Sequence, residues 1–173
     1  MLQWVETQYP NDVSIQQFTA EVRQAVTLHA VMMTVFRLSC ALGVKIAEEV
    51  LFERGHQGQH GERRLCPHCG TSLRSKGLIT RTVQTLMGFV TWKRQVLRCP
   101  HGCKIGQIVP FDEELGLQPS QQISPEVKQI ACVLAVFMPF GIASRLLKTL
   151  LGVEVSAGSI WNWVQEAGKE AMN

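Results

Sequence analysis

The sequence predicts a mainly α-helical protein with one small β-structured, metal-binding unit in its middle. Two pairs of cysteines flank a stretch rich in β-branched residues, between positions 66 and 103. On either side of that stretch, apolar residues recur at the three- and four-residue spacing of amphipathic helices. Of the 173 residues, 46% are hydrophobic and 18% are charged. This composition is typical of small globular units rather than of a disordered tail.

The N-terminal segment, residues 1–60, is predicted to form one long helix or a helix pair after a short irregular leader. Ser14 is the expected N-cap, and Gln17 lies three residues on, as in a capping box. The apolar pattern continues for longer than an ordinary helix, so we expect a break at Gly43. A glycine-rich linker is predicted over residues 55–61. The apolar face of these helices is expected to pack within the chain, and its use as the interface of a homodimer is an open alternative.

Residues 61–110 are predicted to form a zinc ribbon. The first cysteine pair lies in Cys66-Pro67-His68-Cys69-Gly70 and the second in Cys99-Pro100-His101-Gly102-Cys103. Two closely spaced thiolate pairs can supply the four tetrahedral ligands of a structural Zn²⁺ ion. The predicted metal ligands are Cys66, Cys69, Cys99 and Cys103. Iron in a rubredoxin-like site and a pair of disulfides are the alternatives.

The stretch between the cysteine pairs predicts a β-hairpin. Its strands are expected over Leu78–Leu86 and Phe89–Leu97, with a turn at Met87-Gly88. Trp92 either stacks on a nucleobase or caps the small core.

Nothing in the sequence predicts export or membrane insertion. The N-terminus lacks the basic start of a signal peptide. The longest uncharged runs, residues 24–36 and 129–144, are shorter than a membrane span. We therefore expect a cytoplasmic protein with no membrane partner, in which the cysteines stay reduced.

A linker over residues 111–122 is predicted to lead into a three-helix unit over residues 123–173. Ser124-Pro125-Glu126 has the N-cap, the N1 proline and the first-turn acid of a helix start. Gly152 is expected to end the second helix and Ser156 to cap the third. Inward residues of the third helix are predicted to be Ile160, Trp161 and Val164.

The short glycine-containing turn before the third helix is typical of a helix-turn-helix, and an ordinary three-helix bundle is the alternative. In a helix-turn-helix, the N-terminal part of the second helix of the motif contacts DNA. The predicted base-contacting residues are therefore Ser156, Ser159 and Asn162.

Basic charge is concentrated in the middle of the chain. Residues 61–110 contain nine basic side chains and one acidic side chain, whereas the flanking segments carry net charges of −2 and −3. Such an asymmetry favours an anionic polymer such as DNA as partner, and a solvated ribbon surface is the alternative. The candidate phosphate contacts are Arg63, Arg64, Arg74, Lys76, Arg81, Lys93, Arg94, Arg98 and Lys104.

The sequence gives little support to catalysis. Two-metal phosphoryl transfer needs several convergent carboxylates. The aspartates are Asp12 and Asp112, and neither lies in a pattern typical of an active site. Four cysteines would also close the metal site to a substrate. We expect the chain not to be an enzyme.

One ordered set of motifs resembles a known family. The set is Cys66–Gly70, Gly88, Arg94, Cys99–Cys103, Pro110-Phe111-Asp112, Leu115-Gly116-Leu117, Ala143, Leu146, Leu150, Gly152, Val155-Ser156 and Gly168. Over about residues 60–170, the chain is similar to the N-terminal portion of insertion-sequence transposases of the ISKra group. Those are prokaryotic proteins with an RNase H-like DDE catalytic domain.

The resemblance implies a zinc-ribbon and helix-turn-helix region that engages transposon ends. This sequence stops at Asn173, before such a catalytic domain begins. We therefore expect a non-catalytic, nucleoid-associated DNA-binding component, either a regulator or a subunit of a split transposase with a separate catalytic subunit. The alternative is a protein-interaction or assembly module that docks a catalytic or other partner subunit.

Overall fold

The computed structural model describes residues 1–57, 64–104 and 107–172. Within these ranges the chain is mainly helical, with a small two-stranded antiparallel sheet, as the sequence predicts. The elements in chain order are α1 Leu2–Gln8, α2 Val13–Gln24, α3 Leu28–Gln57, β1 Arg74–Thr85, β2 Gly88–Arg98, α4 Pro110–Glu114, α5 Pro125–Phe137, α6 Phe140–Leu151 and α7 Ala157–Ala171. The chain divides into two compact units, Met1–Ala47 and Glu48–Asn173.

The N-terminal unit packs α1 and α2 against the first half of α3. Its small core is built on Val5, Ile15 and Leu38. Asp12 is the N-cap of α2, because its carboxylate accepts a hydrogen bond from the Ile15 N–H at 3.1 Å. The same carboxylate forms an ion pair with Lys45 at 3.0 Å.

Three local expectations for this unit are wrong. The leader contains helix α1, and the cap is Asp12 rather than Ser14, because the helix already begins at Val13. The chain breaks before Leu28 rather than at Gly43. A single glycine inside a helix costs only about 1 kcal/mol, which the neighbouring turns tolerate. Thr27 instead accepts a hydrogen bond from the Ala30 N–H and favours a helix start there.

Helix α3 is long, apolar and mostly exposed. It continues to Gln57, into the segment that the sequence predicts as a linker. By length and composition alone, Leu28–Gly55 would suffice to cross a membrane, a criterion that core helices and signal sequences also meet. Arg37 interrupts this apolar stretch, so that the uncharged run from residue 24 is by itself shorter than a membrane span.

The hairpin is the centre of the second unit. β1 and β2 pair in register from Arg74 opposite Arg98 to Thr85 opposite Gly88, with a register shift between Ser75 and Leu78. Both exposed edges are partly covered. Gln84 exchanges backbone hydrogen bonds with Gln122 and Ser124, and Leu97 exchanges two with Ile108. Covering the edges limits pairing of the hairpin with other chains.

The three C-terminal helices share one core. Its buried members are Val127, Ala131, Ala143, Leu147, Val153 and Ile160. Gly152 ends α6 in the left-handed conformation, at φ +67, as the sequence predicts. Ser156 caps α7 and accepts a hydrogen bond from the Ser159 N–H at 3.0 Å, also as predicted.

The sequence predicts that Trp161 of α7 faces the core, and the structure shows that this prediction is wrong. Trp161 is 51% exposed, whereas Trp163 packs against the core. Ile160 is fully buried, and on a helix the residues three and four positions on share its face. Trp163 and Val164 therefore turn inward, while Trp161 lies about a quarter-turn away.

Candidate metal centre

The hairpin brings the two cysteine pairs together. The sulfur atoms of Cys66, Cys69, Cys99 and Cys103 all lie within 4.8 Å of one another, and Cys69 Sγ lies 3.5 Å from Cys99 Sγ. Four sulfurs about 2.3 Å from a central ion are about 3.8 Å apart in a tetrahedron. All six cysteines of the chain lie in described segments, and all are free thiols. The cluster can therefore hold one metal ion, as the sequence predicts.

Two similar turns present the thiols. Gly70 and Gly102 both adopt φ +69, a conformation that a side chain would strain. The Gly70 N–H donates to the Cys66 carbonyl at 2.9 Å, and the Gly102 N–H donates to the Cys99 carbonyl at 3.2 Å. Each turn folds back on its own first cysteine, so that both sulfurs of a pair face the same point.

The environment of the four thiols makes their protonation unequal. Hydrogen bonding by Thr71 is the main reason that the pKa of Cys69 is lowered to about 5. Hydrogen bonds with the sulfurs of Cys69 and Cys99 raise the pKa of Cys103 to about 12. Four thiolates this close repel one another, and the positive charge of a bound cation would offset that repulsion and so favour the deprotonated form of its ligands. The donor set fits a divalent zinc or iron ion.

Two of the predicted phosphate contacts lie inside the protein instead. Arg81 and Arg94 both pair with the carboxylate of Asp112 in α4. The side chains are 5%, 14% and 4% exposed, in the order Arg81, Arg94 and Asp112. Arg81 also donates to the carbonyls of Gln118 at 2.6 Å and Gln121 at 2.7 Å. These two arginines hold α4 and the following loop on the hairpin, so they cannot reach a nucleic acid.

A signal for this role was present in the sequence. Arg81 lies opposite Trp92, and Ile79 lies opposite Arg94, so both guanidinium groups share a face with buried Val83 and Val90. Strand alternation places every second side chain on one face. The net charge of the segment does not distinguish such inward-facing arginines from surface cations. Trp92 itself is buried in the hairpin core, at 5% exposure, rather than free to stack.

The remaining basic residues of the middle segment that the structure describes are exposed. Arg64 forms an ion pair with Glu113. Five others have no acidic partner among the residues that the structure describes: Arg74, Lys76, Lys93, Arg98 and Lys104. Arg63 lies outside the described residues. The structure thus divides the predicted contacts into paired arginines and unpaired surface cations.

The three polar residues predicted on α7 occupy different environments. Asn162 is exposed, next to exposed Trp161. Ser159 is half-buried, and the exposed Ser156 uses its hydroxyl to cap the helix. Asn162 therefore keeps its amide free for a partner, whereas Ser156 already has a structural role.

The chain matches no model of a known protein family, and a search of curated protein sequences returns no significant match.

Proposed function

We propose that the chain is a zinc-binding, DNA-binding component of a transposase of the ISKra group, acting at transposon ends. In this proposal the ion held by Cys66, Cys69, Cys99 and Cys103 is Zn²⁺, and its role is structural. Four thiolates saturate a tetrahedral zinc ion and leave no open position for a substrate. The ion fixes the open end of the hairpin and so fixes the cations around it.

The observation that supports DNA binding is the set of exposed basic side chains without an acidic partner. Five arginines of the described segments pair with acidic side chains, which are those of Glu6, Glu114, Glu113 and Asp112. By contrast, Arg74, Lys76, Arg98 and Lys104 adjoin the cysteine turns, are exposed and have no acidic partner in the described part of the chain. DNA offers a regular array of phosphates to such a surface.

Helices α6 and α7 are proposed to act as the helix-turn-helix that reads the bases. Supporting this role, a short turn from Gly152, which ends α6, to Ser156, which caps α7, joins two helices over a shared core. Asn162 is exposed near the start of α7, and an asparagine amide can pair with adenine in the major groove. Phosphate contacts by the hairpin would position the chain, and α7 would supply the sequence preference.

The proposed role is non-catalytic, in the cytoplasm of a prokaryote and associated with the nucleoid. Both aspartates serve structural contacts: Asp12 caps α2, and Asp112 holds the two buried arginines. Such a chain would act as a regulator at the transposon ends or as the DNA-binding partner of a separate catalytic subunit.

The test is competition binding with a labelled duplex carrying a transposon end. We expect unlabelled end DNA to compete better than unrelated DNA of equal length. Asn162→Ala should reduce that preference by about tenfold, since one good base contact contributes about 1–3 kcal/mol. Gln129→Ala, at an exposed position of α5 rather than on the reading helix, is the matched control. Equal competition by unrelated DNA would refute sequence-specific recognition.

A protein-interaction module is the second candidate, favoured by the exposed apolar residues of α3. Met32, Phe36 and Ile46 are 59%, 45% and 56% exposed, in the helical segment for which the sequence leaves a homodimer open. Apolar side chains at such spacing are commonly covered by a second helix, from another copy or from a partner subunit. Sedimentation of the purified chain tests the homodimer, and Phe36→Glu should convert a dimer into a monomer.

A further inference from the structure

Two arginines face each other across the hairpin, and neither pairs with an acidic side chain of the described residues. Arg74 and Arg98 are direct partners in the antiparallel register, and both are exposed. Directly opposed side chains have Cβ atoms about 4.5–5.5 Å apart, and like charges in that position destabilise a sheet. No carboxylate contacts either arginine in the described segments. The other two hairpin arginines, Arg81 and Arg94, share Asp112 as a counter-charge.

A bulge beside this pair adds a third cation. The register shift between Ser75 and Leu78 places two residues of β1, Lys76 and Gly77, opposite the single residue Val96 of β2. Gly77 adopts φ +105, and its N–H donates to the Ser75 hydroxyl at 3.2 Å. Bulges change the direction of the side chains that they carry. Lys76 is exposed here, two residues from Arg74.

We propose that Arg74 and Arg98 together clamp a single phosphate of the DNA backbone, with Lys76 on a neighbouring phosphate. This proposal rests on the DNA-binding function proposed above and names its principal phosphate site. Two guanidinium groups facing one phosphate can each donate parallel hydrogen bonds to its oxygens. The bound anion also removes the repulsion between the two arginines.

A different role for the pair makes a different prediction. A divalent ion with four thiolates carries a formal charge of −2, and Arg98 directly precedes Cys99. If the arginines only balanced that charge, their removal would weaken metal binding and leave the DNA phosphates unaffected. Metal content and DNA affinity therefore have to be measured on the same samples.

The experiment compares binding to a random-sequence DNA duplex over a range of salt concentrations, for the zinc-loaded chain and its variants. Each neutralised phosphate contributes about −0.9 to the slope of log affinity against log salt. Because the clamp shares one phosphate, Arg74→Gln, Arg98→Gln and the double variant should each flatten the slope by about 0.9 or less. The losses of affinity should not add.

Two further variants keep the test decisive. The double lysine variant, Arg74→Lys with Arg98→Lys, should keep the slope but bind more weakly, because lysine lacks the planar fork. The control Arg23→Gln with Arg37→Gln removes the same charge from α2 and α3 and should leave the slope unchanged.

Each outcome has a defined meaning. If the double variant flattens the slope by about 1.8, twice the change of each single variant, the two arginines contact separate phosphates, and the clamp is overturned. An unchanged slope with reduced zinc content would also overturn it, in favour of charge balance at the metal. If the zinc-loaded parent chain does not bind the duplex at all, both the clamp and the proposed function fail.

Discussion

The buried contact between Asp112 and two arginines predicts a large effect for a very small change. Asp112→Asn keeps the size of the side chain but removes its charge. Arg81 and Arg94 then remain inside the protein without a counter-charge. Removing one partner of a buried ion pair costs about 3–5 kcal/mol. The loss is a substantial fraction of the roughly 5–15 kcal/mol that stabilises a small domain.

A neighbouring carboxylate provides the matched control. Glu113 is adjacent in sequence and pairs with Arg64, but their side chains are 56% and 44% exposed. Exposed pairs contribute about 0–1 kcal/mol, because water screens the charges. Glu113→Gln should therefore leave the stability almost unchanged.

Urea unfolding of the zinc-loaded chain, followed by tryptophan fluorescence, measures the difference. Trp92 reports on this region, since it lies opposite Arg81 in the sheet. With an m value of about 2 kcal/mol per molar urea, a loss of about 4 kcal/mol lowers the midpoint by roughly 2 M. Equal midpoints for Asp112→Asn and Glu113→Gln would refute a stabilising role for the buried contact between Asp112 and the two arginines.

A combined variant tests the physical cause. If the cost comes from uncompensated charge, replacing Arg81 and Arg94 by methionine in the Asp112→Leu background should recover much of the lost stability. If stability falls further with each replacement, packing rather than charge is the dominant contribution.

Two other predictions concern the metal ligands and the N-terminal cap. Cys66→Ser should abolish stoichiometric metal binding and unfold the hairpin, because metal binding at a structural site is part of the folding free energy. Cys132→Ser, on α5 and outside the cluster, should retain one ion per chain by metal analysis. Asp12→Ala should destabilise the N-terminal unit by about 1 kcal/mol. A hydrogen bond from the Ile15 N–H lowers the pKa of Asp12, so its contribution is present above the ordinary carboxyl pKa. That contribution disappears as the pH falls through the lowered pKa. Circular dichroism melts of Asp12→Ala and the parent chain should therefore differ at neutral pH and converge in acid, and a gap that persists in acid would contradict the assignment.

The features that the sequence predicted well depend on local chemistry. The metal ligands follow from the spacing of four cysteines, and the ends of α6 and α7 follow from a single glycine and a single serine. Both hairpin strands follow from a run of β-branched residues around one turn. The caps and the turn are defined by neighbouring residues, and the two cysteine pairs are brought together by the hairpin that joins them.

The features that it missed depend on partners distant in sequence. Asp112 is 31 residues from Arg81, and no local pattern links them. Its position in an acidic triplet resembled a solvated linker. The inward direction of Trp163 likewise depends on which face of α7 meets the other helices. Net charge by segment therefore overstated the cations available to DNA.

The salt dependence of DNA binding by the metal-loaded and metal-stripped chain tests the account most directly. Five unpaired cations, two of them sharing a phosphate, would neutralise about four phosphates, for a slope of log affinity against log salt of about −3.6. We expect that slope for the zinc-loaded chain, and a loss of most of the affinity when a chelator removes the ion. Affinity that is independent of both salt and metal would contradict the account.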